Sequence, residues 1–329
     1  MILPAPRRRP GPPLPRSGRP APRPALPMRF KRTRLLIVGC GDVGLRTVGA
    51  LPARVRVLAL SSSPARYPEL RARGITPLAG NLDQPASLRR LAGLARHVLH
   101  LAPPPGQGEG DPRTRALLRA LARGRAGAGH GFGTTLVYGS TSGVYGDCAG
   151  ALIDETRTPR PMTARARRRV AAEQALRAQG RQPALAPGGG LRACILRIPG
   201  IYAPDRPGGT PRERLLAGTP TLRAEDDVYT SHIHADDLAR ACIAALWRGR
   251  PQRVYHASDD SRMKLGDYLD LAAQRYGLPR APRLTRAQAE QALTPERMSF
   301  LRESRQLDNR RLKQELHLAL RHPTVAQGL

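Results

Sequence analysis

From residue 34 onward, short apolar runs alternate with amphipathic stretches. The run RLLIV (34–38) is short enough for a buried strand, and the residues after the next glycines place Val43, Thr47 and Leu51 on one helix face. Further apolar runs predict strands near 54–63, 75–80, 97–105, 134–146 and 191–202, and the stretches 86–94, 111–124 and 165–179 between them predict helices. Strands that alternate with helices at this spacing predict a parallel sheet covered on both faces. We therefore expect a doubly wound α/β (Rossmann) fold, with ligand at the carboxyl ends of its strands.

Past Tyr202 the alternation loosens. The pattern predicts a strand or loop feeding a helix over 227–249, a short strand over 253–260, helices over 265–277 and 285–316, and an ordered coil over 320–329. An apolar stretch of about 20 residues, the length that crosses a bilayer, is lacking. The sequence therefore predicts no membrane association.

The chain is strongly basic, with 55 Lys and Arg against 25 Asp and Glu and a formal charge of +30. Residues 1–34 carry ten basic side chains and no acid. No aromatic-interleaved basic platform accompanies this charge, which argues against nucleic acid as a partner. The segment also lacks the continuous apolar region of a signal peptide, so we expect a disordered Pro/Arg-rich tail over 1–30.

Four cysteines, at 40, 148, 194 and 242, are far apart in the sequence. None of their spacings is typical of a zinc site or a redox motif. Free thiols indicate a cytoplasmic protein. His232 and His234 lack a third ligand at a suitable spacing, so we expect structural histidines and no metal.

Three glycines directly follow the first predicted strand. Gly39, Gly41 and Gly44 form G-x-G-x-x-G, with Asp42 and Val43 between the last two. In this motif the first glycine permits a turn, the second lets a diphosphate approach the backbone, and the third packs helix against strand. Because the helix that follows presents free N–H groups at its start, the motif predicts a dinucleotide site formed by these five residues.

The end of the second predicted strand bears on the choice of dinucleotide. An NAD site usually has a carboxylate there, which binds the adenosine ribose. This strand ends LALSSSPAR, with Ser61 and Arg66 and no acid. We therefore expect NADP, bound with help from these two residues, and keep NAD as the alternative. Arg66 as a solvated loop charge is the competing interpretation.

The patterns along the whole chain predict an NAD(P)-binding Rossmann domain over 31–200 and a small, mostly helical substrate-side subdomain over 201–329 that interleaves with the sheet.

Six stretches, taken in order, resemble one protein family. They are GCGDVG, GNLDQPASL, LHLAPPP, STSGVYGD, LRIPGIYAP and HIHADDLARA. Together they resemble the extended short-chain dehydrogenase/reductases, also described as NAD-dependent epimerase/dehydratases, over about residues 35–329. The match is most similar to the atypical branch that lacks the standard active-site pair.

The resemblance implies contacts with each part of the dinucleotide. Asn81 and Leu82 match positions beside the adenine. Leu101 and Ala102 match positions that border the ribose and nicotinamide. Pro199, Gly200 and Ile201 match positions that contact the nicotinamide end. It also implies that Thr141 hydrogen-bonds a substrate oxygen. His234 and Asp236 match the family motif before the late helix.

The segment TPRPMTARARRRVAAEQAL (158–176) matches the family's catalytic helix with a substitution. The family has Tyr-x-x-x-Lys there, with Glu four residues after the lysine; counting back from Glu173 puts Arg169 at the lysine position and Arg165 at the tyrosine position. Arginine stays protonated at neutral pH and cannot act as the proton acceptor, although it can bind a phosphate or carboxylate. Anion binding and a solvated arginine face both remain open.

Two main functional hypotheses follow. The first is an oxidoreductase or epimerase/dehydratase acting on a small hydroxyl or carbonyl substrate, with an anionic nucleotide sugar as one candidate, in a monomer or homodimer. Thr141 acting through water, Tyr145, Tyr202 or the substrate itself would then transfer the proton. The second is a non-catalytic NAD(P)H-binding or redox-sensing protein, which the loss of both Tyr and Lys would explain. Association of the arginine-rich tail with an anionic surface is a weaker third hypothesis.

Overall fold

A central parallel sheet of seven strands organises the chain. The computed structural model describes residues 33–123, 133–182 and 190–329; the tail expected over 1–30 lies outside them. Residues Thr33–Leu329 cluster as one unit. Within the described residues, no helix combines the length and apolar character needed to span a membrane.

The strands of the described residues follow in chain order: β1 (Arg34–Val38), β2 (Arg56–Ser61), β3 (Thr76–Ala79), β4 (His97–His100), β5 (Thr134–Thr141), β6 (Leu152–Ile153), β7 (Leu191–Ile198), β8 (Gly200–Tyr202), β9 (Thr221–Leu222), β10 (Tyr229–Thr230), β11 (His232–His234), β12 (Val254–His256), β13 (Met263–Lys264), β14 (Arg283–Leu284) and β15 (Gln306–Leu307). The helices are α1 (Asp42–Gly49), α2 (Tyr67–Ala72), α3 (Pro112–Arg123), α4 (Ala164–Arg181), α5 (Arg212–Leu216), α6 (Ala235–Arg248), α7 (Leu265–Tyr276), α8 (Arg286–Ala292), α9 (Pro295–Leu301), α10 (Arg310–Leu316) and α11 (Val325–Gly328).

The strand order of the central sheet is β12-β7-β5-β4-β1-β2-β3. All of its neighbours pair in parallel. The order reverses between β1 and β4, and in such sheets the crevice at the reversal point is where ligands bind. This arrangement confirms the predicted doubly wound α/β fold and places a candidate site beyond the carboxyl ends of β1 and β4.

Strand β1 is continuously apolar from Leu35 to Val38 because both of its faces are buried. Leu35 and Ile37 pack in the core layer that includes α1, α2, α6 and α10. Leu36 and Val38 point to the opposite layer, with α3, α4 and the turn at Pro85–Leu91. Because successive strand side chains point to opposite faces, a sheet with helices on both sides requires both sets to be apolar.

Three predicted elements differ in the structure. The stretch around 86–94 is a 3-10 turn over Pro85–Leu91 rather than an α-helix. The single helix predicted over 285–316 is divided into α8, α9 and α10, with β15 pairing to β6 in the gap. Thr294 caps α9 and Pro295 begins it, and both residue types favour a new helix start. The expected final coil contains the short helix α11.

Candidate functional site

The glycine turn lies where the strand order reverses. Gly39, directly after β1, has a φ of +88°, a left-handed conformation that favours glycine. A Cβ at this residue would lie 2.8 Å from the Leu101 carbonyl carbon and closer still to the Ala102 nitrogen. The N–H groups of Leu101 and Ala102 both donate to the Val38 carbonyl, at 2.8 and 3.0 Å. The predicted residues after β1 and β4 are therefore in direct contact.

The other two glycines have the geometry that the motif requires. A Cβ at Gly41 would meet no atom within 4 Å, so the space above the start of α1 is open. A Cβ at Gly44 would lie 3.5 Å from both the Gly39 carbonyl oxygen and Ile37 Cγ2, which reflects close packing of helix against strand. Among the described residues, no side chain caps the N-terminus of α1. This open, uncapped turn fits the diphosphate of a dinucleotide, held by N–H groups near Asp42 and Val43.

Two further predicted segments lie at neighbouring strand ends. Ser61 ends β2, and its Oγ lies 3.2 Å from both the N and O atoms of Ser63. Arg66 is partly exposed and donates to Glu69 Oε2 at 3.3 Å. Because Glu69 shares this guanidinium, Arg66 is not a free cation.

The loop after β3 is held by its own hydrogen bonds. The Asn81 N–H donates to Ser87 Oγ at 2.9 Å, and Asn81 Oδ1 accepts from the Asp83 N–H at 2.9 Å. Leu82 is partly buried against the core layer of β1 and β2. This loop is thus ordered beside the strands that carry the glycine turn and Ser61.

A cavity of about 500 Å³ opens beyond the carboxyl ends of β5 and β7. Among the predicted residues it brings together Thr141, Arg165, the segment 199–201 and Tyr202. Thr141 ends β5, and its Oγ1 accepts from the Gly143 N–H at 3.3 Å. Arg165 lies in the first turn of α4, with its guanidinium carbon 4.5 Å from the centre of the Phe300 ring. The cavity has the size of a small-molecule site.

Tyr145 lies outside this cavity. Its side chain is buried, and its hydroxyl accepts from Arg197 Nη1 at 2.7 Å. The hydroxyl also lies 2.5 Å from His256 Nε2. Since His256 Nδ1 lies 2.9 Å from the Asp308 carbonyl, which can only accept, Nδ1 carries the proton and Tyr145 donates to Nε2. Burial raises the pKa of Tyr145 to about 12.

Arg169, at the family's lysine position, also points away from the cavity. Its Nη1 donates to the Gly139 carbonyl at 2.7 Å and to the Tyr138 hydroxyl at 3.1 Å. Glu173, one turn further along α4, accepts from Arg197 Nη2 at 2.7 Å in a buried ion pair. Arg169 therefore supports strand β5, whereas Arg165 on the same helix faces the cavity.

Four charged residues that line the cavity were not predicted from the sequence: Arg214, Arg297, Glu303 and Arg305. Arg214 and Arg297 have no hydrogen-bond or ion-pair partner for their guanidinium groups within the described part of the chain. The surrounding cavity walls, together with the positive charge of Arg297, lower the pKa of Arg214. Glu303 is the only carboxylate among the described residues of the lining. No local sequence signal separates these residues from other surface charges.

Glu303 lies close to Thr141. Its Oε2 accepts from Arg305 Nη1 at 2.8 Å. A Cβ added to Gly143 would be 3.9 Å from Glu303 Oε2 and 3.7 Å from Thr141 Oγ1. Both oxygens thus border the same small space, which the absence of a side chain at Gly143 leaves open.

His234 and Asp236 meet a third residue that sequence spacing could not reveal. A nitrogen of His322 lies with atoms of these two residues within 4.8 Å of one another. Asp236 already accepts from Arg46 Nη1 at 2.6 Å, and His234 Nδ1 accepts from the Asp236 N–H at 3.2 Å. Arg46 therefore already neutralises Asp236. Burial lowers the pKa of the neighbouring His232 to about 4, so that ring is neutral at pH 7.

Comparison with known proteins agrees with this geometry. The NAD dependent epimerase/dehydratase family profile matches residues 35–257, and the chain belongs to this family. No curated protein sequence matches the chain significantly. A functionally unknown conserved protein from Silicibacter pomeroyi DSS is 30% identical, with a TM-score of 0.70, over 90% of this chain and 96% of that one.

Two more distant structures share the fold. A nucleoside-diphosphate-sugar epimerase from Pseudomonas aeruginosa is 17% identical with a TM-score of 0.71, over 90% of this chain and 94% of its own. A dTDP-glucose 4,6-dehydratase double mutant from Streptomyces venezuelae, with NAD bound, is 21% identical with a TM-score of 0.65, over 90% and 94%. The family cofactor, a nicotinamide dinucleotide, suits the glycine turn described above.

Substitutions at Gly39 and Gly41 are expected to have different effects, on stability at the first residue and on dinucleotide binding at the second. Gly39→Ala should destabilise the fold by about 1–3 kcal/mol from the positive φ alone, and more from overlap with Ala102. Gly41→Ala should leave stability unchanged, whereas Gly41→Trp should abolish dinucleotide binding because the indole fills the open space. Urea unfolding and calorimetric titration with NADPH and NADH measure these effects. Undiminished affinity in Gly41→Trp would refute the placement of the diphosphate.

Proposed function

We propose that this protein is a nicotinamide-dependent oxidoreductase or epimerase/dehydratase whose substrate carries a hydroxyl or carbonyl group and an anionic group, such as the diphosphate of a nucleotide sugar. One observation carries the proposal: the cavity beside residues 199–201 is lined by Arg165, Arg214 and Arg297, none of which has a carboxylate partner in the described chain. Guanidinium groups bind phosphates through paired hydrogen bonds. A protein that only stored the dinucleotide would not need this second cavity.

The dinucleotide would lie across the carboxyl edge of the sheet. The turn at 39–44 would hold the diphosphate, Asn81 and Leu82 would border the adenine, and residues 101–102 and 199–201 would border the nicotinamide end. When bound, the nicotinamide supplies a hydride acceptor or donor. The contribution of the protein is then to orient the substrate carbon toward it and to move a proton.

Glu303 is the best-placed proton acceptor. Arg165 stays protonated, and the Tyr145 hydroxyl is committed to Arg197 and His256. Thr141 Oγ1 would hydrogen-bond the substrate oxygen, and the Glu303 carboxylate, one oxygen of which is fixed by Arg305, would take its proton. Glu303 would accept the O–H proton of a substrate alcohol while the bound oxidised nicotinamide would supply the hydride acceptor, so that the alcohol carbon would become a carbonyl.

The activity itself is tested by absorbance at 340 nm. Purified protein is mixed with oxidised dinucleotide and a panel of nucleoside-diphosphate sugars, and with reduced dinucleotide and a panel of carbonyl compounds. At least one compound is expected to give either a change at 340 nm or, by chromatography, an epimerised or dehydrated sugar nucleotide, because an epimerase or dehydratase regenerates its dinucleotide and leaves the absorbance unchanged. Saturable dinucleotide binding without any turnover across both panels would instead favour the non-catalytic, redox-sensing alternative.

Arg214 should set affinity for the anionic part of the substrate. Arg214→Gln is expected to weaken UDP binding about tenfold, since a charge-assisted hydrogen bond to phosphate is lost. Calorimetry with UDP and with uridine measures this effect. Arg212→Gln is the matched control, because Arg212 lies on the same short helix and is likewise exposed but does not line the cavity. Equal UDP affinity in both variants would contradict the assignment.

Glu303 should matter for turnover and not for cofactor binding. With the substrate that gives the largest signal at 340 nm, Glu303→Gln is expected to lower the rate about 100-fold or more, the usual range for loss of a general base. Its NADH affinity should equal that of the wild type. Glu296→Gln, which removes an exposed acid nearby, serves as control. A rate within twofold of wild type in Glu303→Gln would exclude this role.

We further propose that NADP is preferred over NAD. The support is the end of β2, where the strand itself ends without a carboxylate and Arg66, which shares its charge with Glu69, follows five residues after Ser61. Arg66→Glu should raise the Kd of NADPH about tenfold and that of NADH much less, because only NADPH carries the 2′-phosphate. Arg54→Glu, the same charge change before β2, is the control. An equal effect on both dinucleotides would remove the basis for the preference.

A cytoplasmic location is also part of the proposal. All four cysteines are free and buried. Proteins of oxidising compartments commonly pair their cysteines, so unpaired thiols favour a reducing compartment.

A further inference from the structure

Asp42 raises an electrostatic problem at the dinucleotide site. It is the first residue of α1, directly after Gly41, where the diphosphate of the proposed cofactor would lie. A helix N-terminus favours a nearby anion, but a carboxylate and a diphosphate at the same place repel each other. The side chain of Asp42 must therefore be neutralised for the cofactor to bind well.

Two arginines flank the Asp42 carboxylate. Arg46 Nε lies 3.0 Å from one oxygen, and Arg206 Nε lies 3.3 Å from the other. Arg46 is also bound to Asp205 at 2.7 Å and to Asp236 at 2.6 Å. Because three carboxylates surround Arg46, its positive charge is already balanced and does not attract a further anion.

Arg206 is different, because it has unused donors. Besides its ion pair with Asp42, Arg206 donates a hydrogen bond through Nη1 to the Ile201 carbonyl at 3.1 Å. Its Nη2 has no partner among the described residues, and its side chain is 28% exposed. A guanidinium group carries five N–H donors, so several remain for a phosphate.

The loop that carries Arg206 is held in place before any ligand binds. The Arg206 N–H donates to the Ala203 carbonyl at 3.2 Å, and the Gly209 N–H donates to the Arg206 carbonyl at 2.9 Å. A Cβ at Gly209 would overlap the Ala203 carbonyl oxygen, so the tight turn requires glycine there. Asp205 in the same loop is tied to Arg46 on α1. The loop therefore stands fixed against the start of α1.

We propose that Arg206 binds the diphosphate of the nicotinamide dinucleotide directly, so that the loop 203–209 forms the second wall of the diphosphate site opposite the glycine turn. This inference rests on the dinucleotide binding of the proposed function and adds a residue that the glycine motif does not contain. Arg206 then has two roles: it neutralises Asp42 and it contacts the ligand.

A double-mutant cycle separates these two roles. Wild type, Arg206→Gln, Asp42→Asn and the double variant are titrated by calorimetry with NADH and with ADP-ribose, at one ionic strength. Arg206→Gln should raise both Kd values about tenfold. Asp42→Asn alone should leave affinity unchanged or improve it, and the double variant should bind about tenfold more weakly than Asp42→Asn. Arg212→Gln controls for the change in net charge, and melting temperatures verify folding.

The outcomes are distinct. If the double variant binds as tightly as Asp42→Asn, Arg206 only screens Asp42 and the direct contact is refuted. An unchanged Kd in Arg206→Gln also overturns the inference while leaving the proposed function intact. Absence of NADH and ADP-ribose binding in the wild type would overturn the proposed function itself, and this inference with it.

Discussion

A buried ion pair between Arg197 and Glu173 fixes the elements around the candidate site. Two guanidinium nitrogens of Arg197 contact the two carboxylate oxygens, at 3.1 and 2.7 Å, and Ser140 Oγ donates to the same carboxylate at 2.6 Å. The third nitrogen reaches Tyr145, which continues to His256. The pair thus joins β7, α4, β5 and β12 in one network. Removing one partner of such a pair typically costs about 3–5 kcal/mol, because the other charge stays buried and uncompensated.

This network accounts for the position of α4, the helix that matches the catalytic helix of the family. Glu173 keeps its structural role, so α4 lies against the sheet as the fold requires. One turn earlier, Arg169 contacts the Gly139 carbonyl and strengthens that packing. Arg165, two turns before Glu173, faces the cavity and offers positive charge where a proton donor would be expected. The only carboxylate in the described lining, Glu303, lies on a different element, the segment before β15.

Arginines near the site occur in two different environments. Around the glycine turn, Arg46 and Arg206 are matched by carboxylates, and Arg206 retains donors without a partner among the described residues. In the cavity, Arg214 and Arg297 have no such partners among the described residues. Both side chains are exposed at the cavity wall without a counterion in the described part of the chain, and a phosphate-bearing ligand would supply one. The excess charge is thus compatible with small anions as ligands and does not require nucleic acid.

The sequence by itself determined the alternating strands and helices and the glycine turn, because each depends on local periodicity or on the conformational freedom of a few adjacent residues. The early turn could be predicted down to the separate roles of Gly39 and Gly41. Only the tertiary structure decided that Tyr145 is buried on His256 and that Glu303 stands beside Thr141. The latter two are more than 160 residues apart in the chain, and their proximity follows from the pairing of β15 with β6 and from hydrogen bonds of the intervening loop. Such contacts leave no local pattern, since any exposed acid in a helical C-terminal region looks the same until the chain is folded.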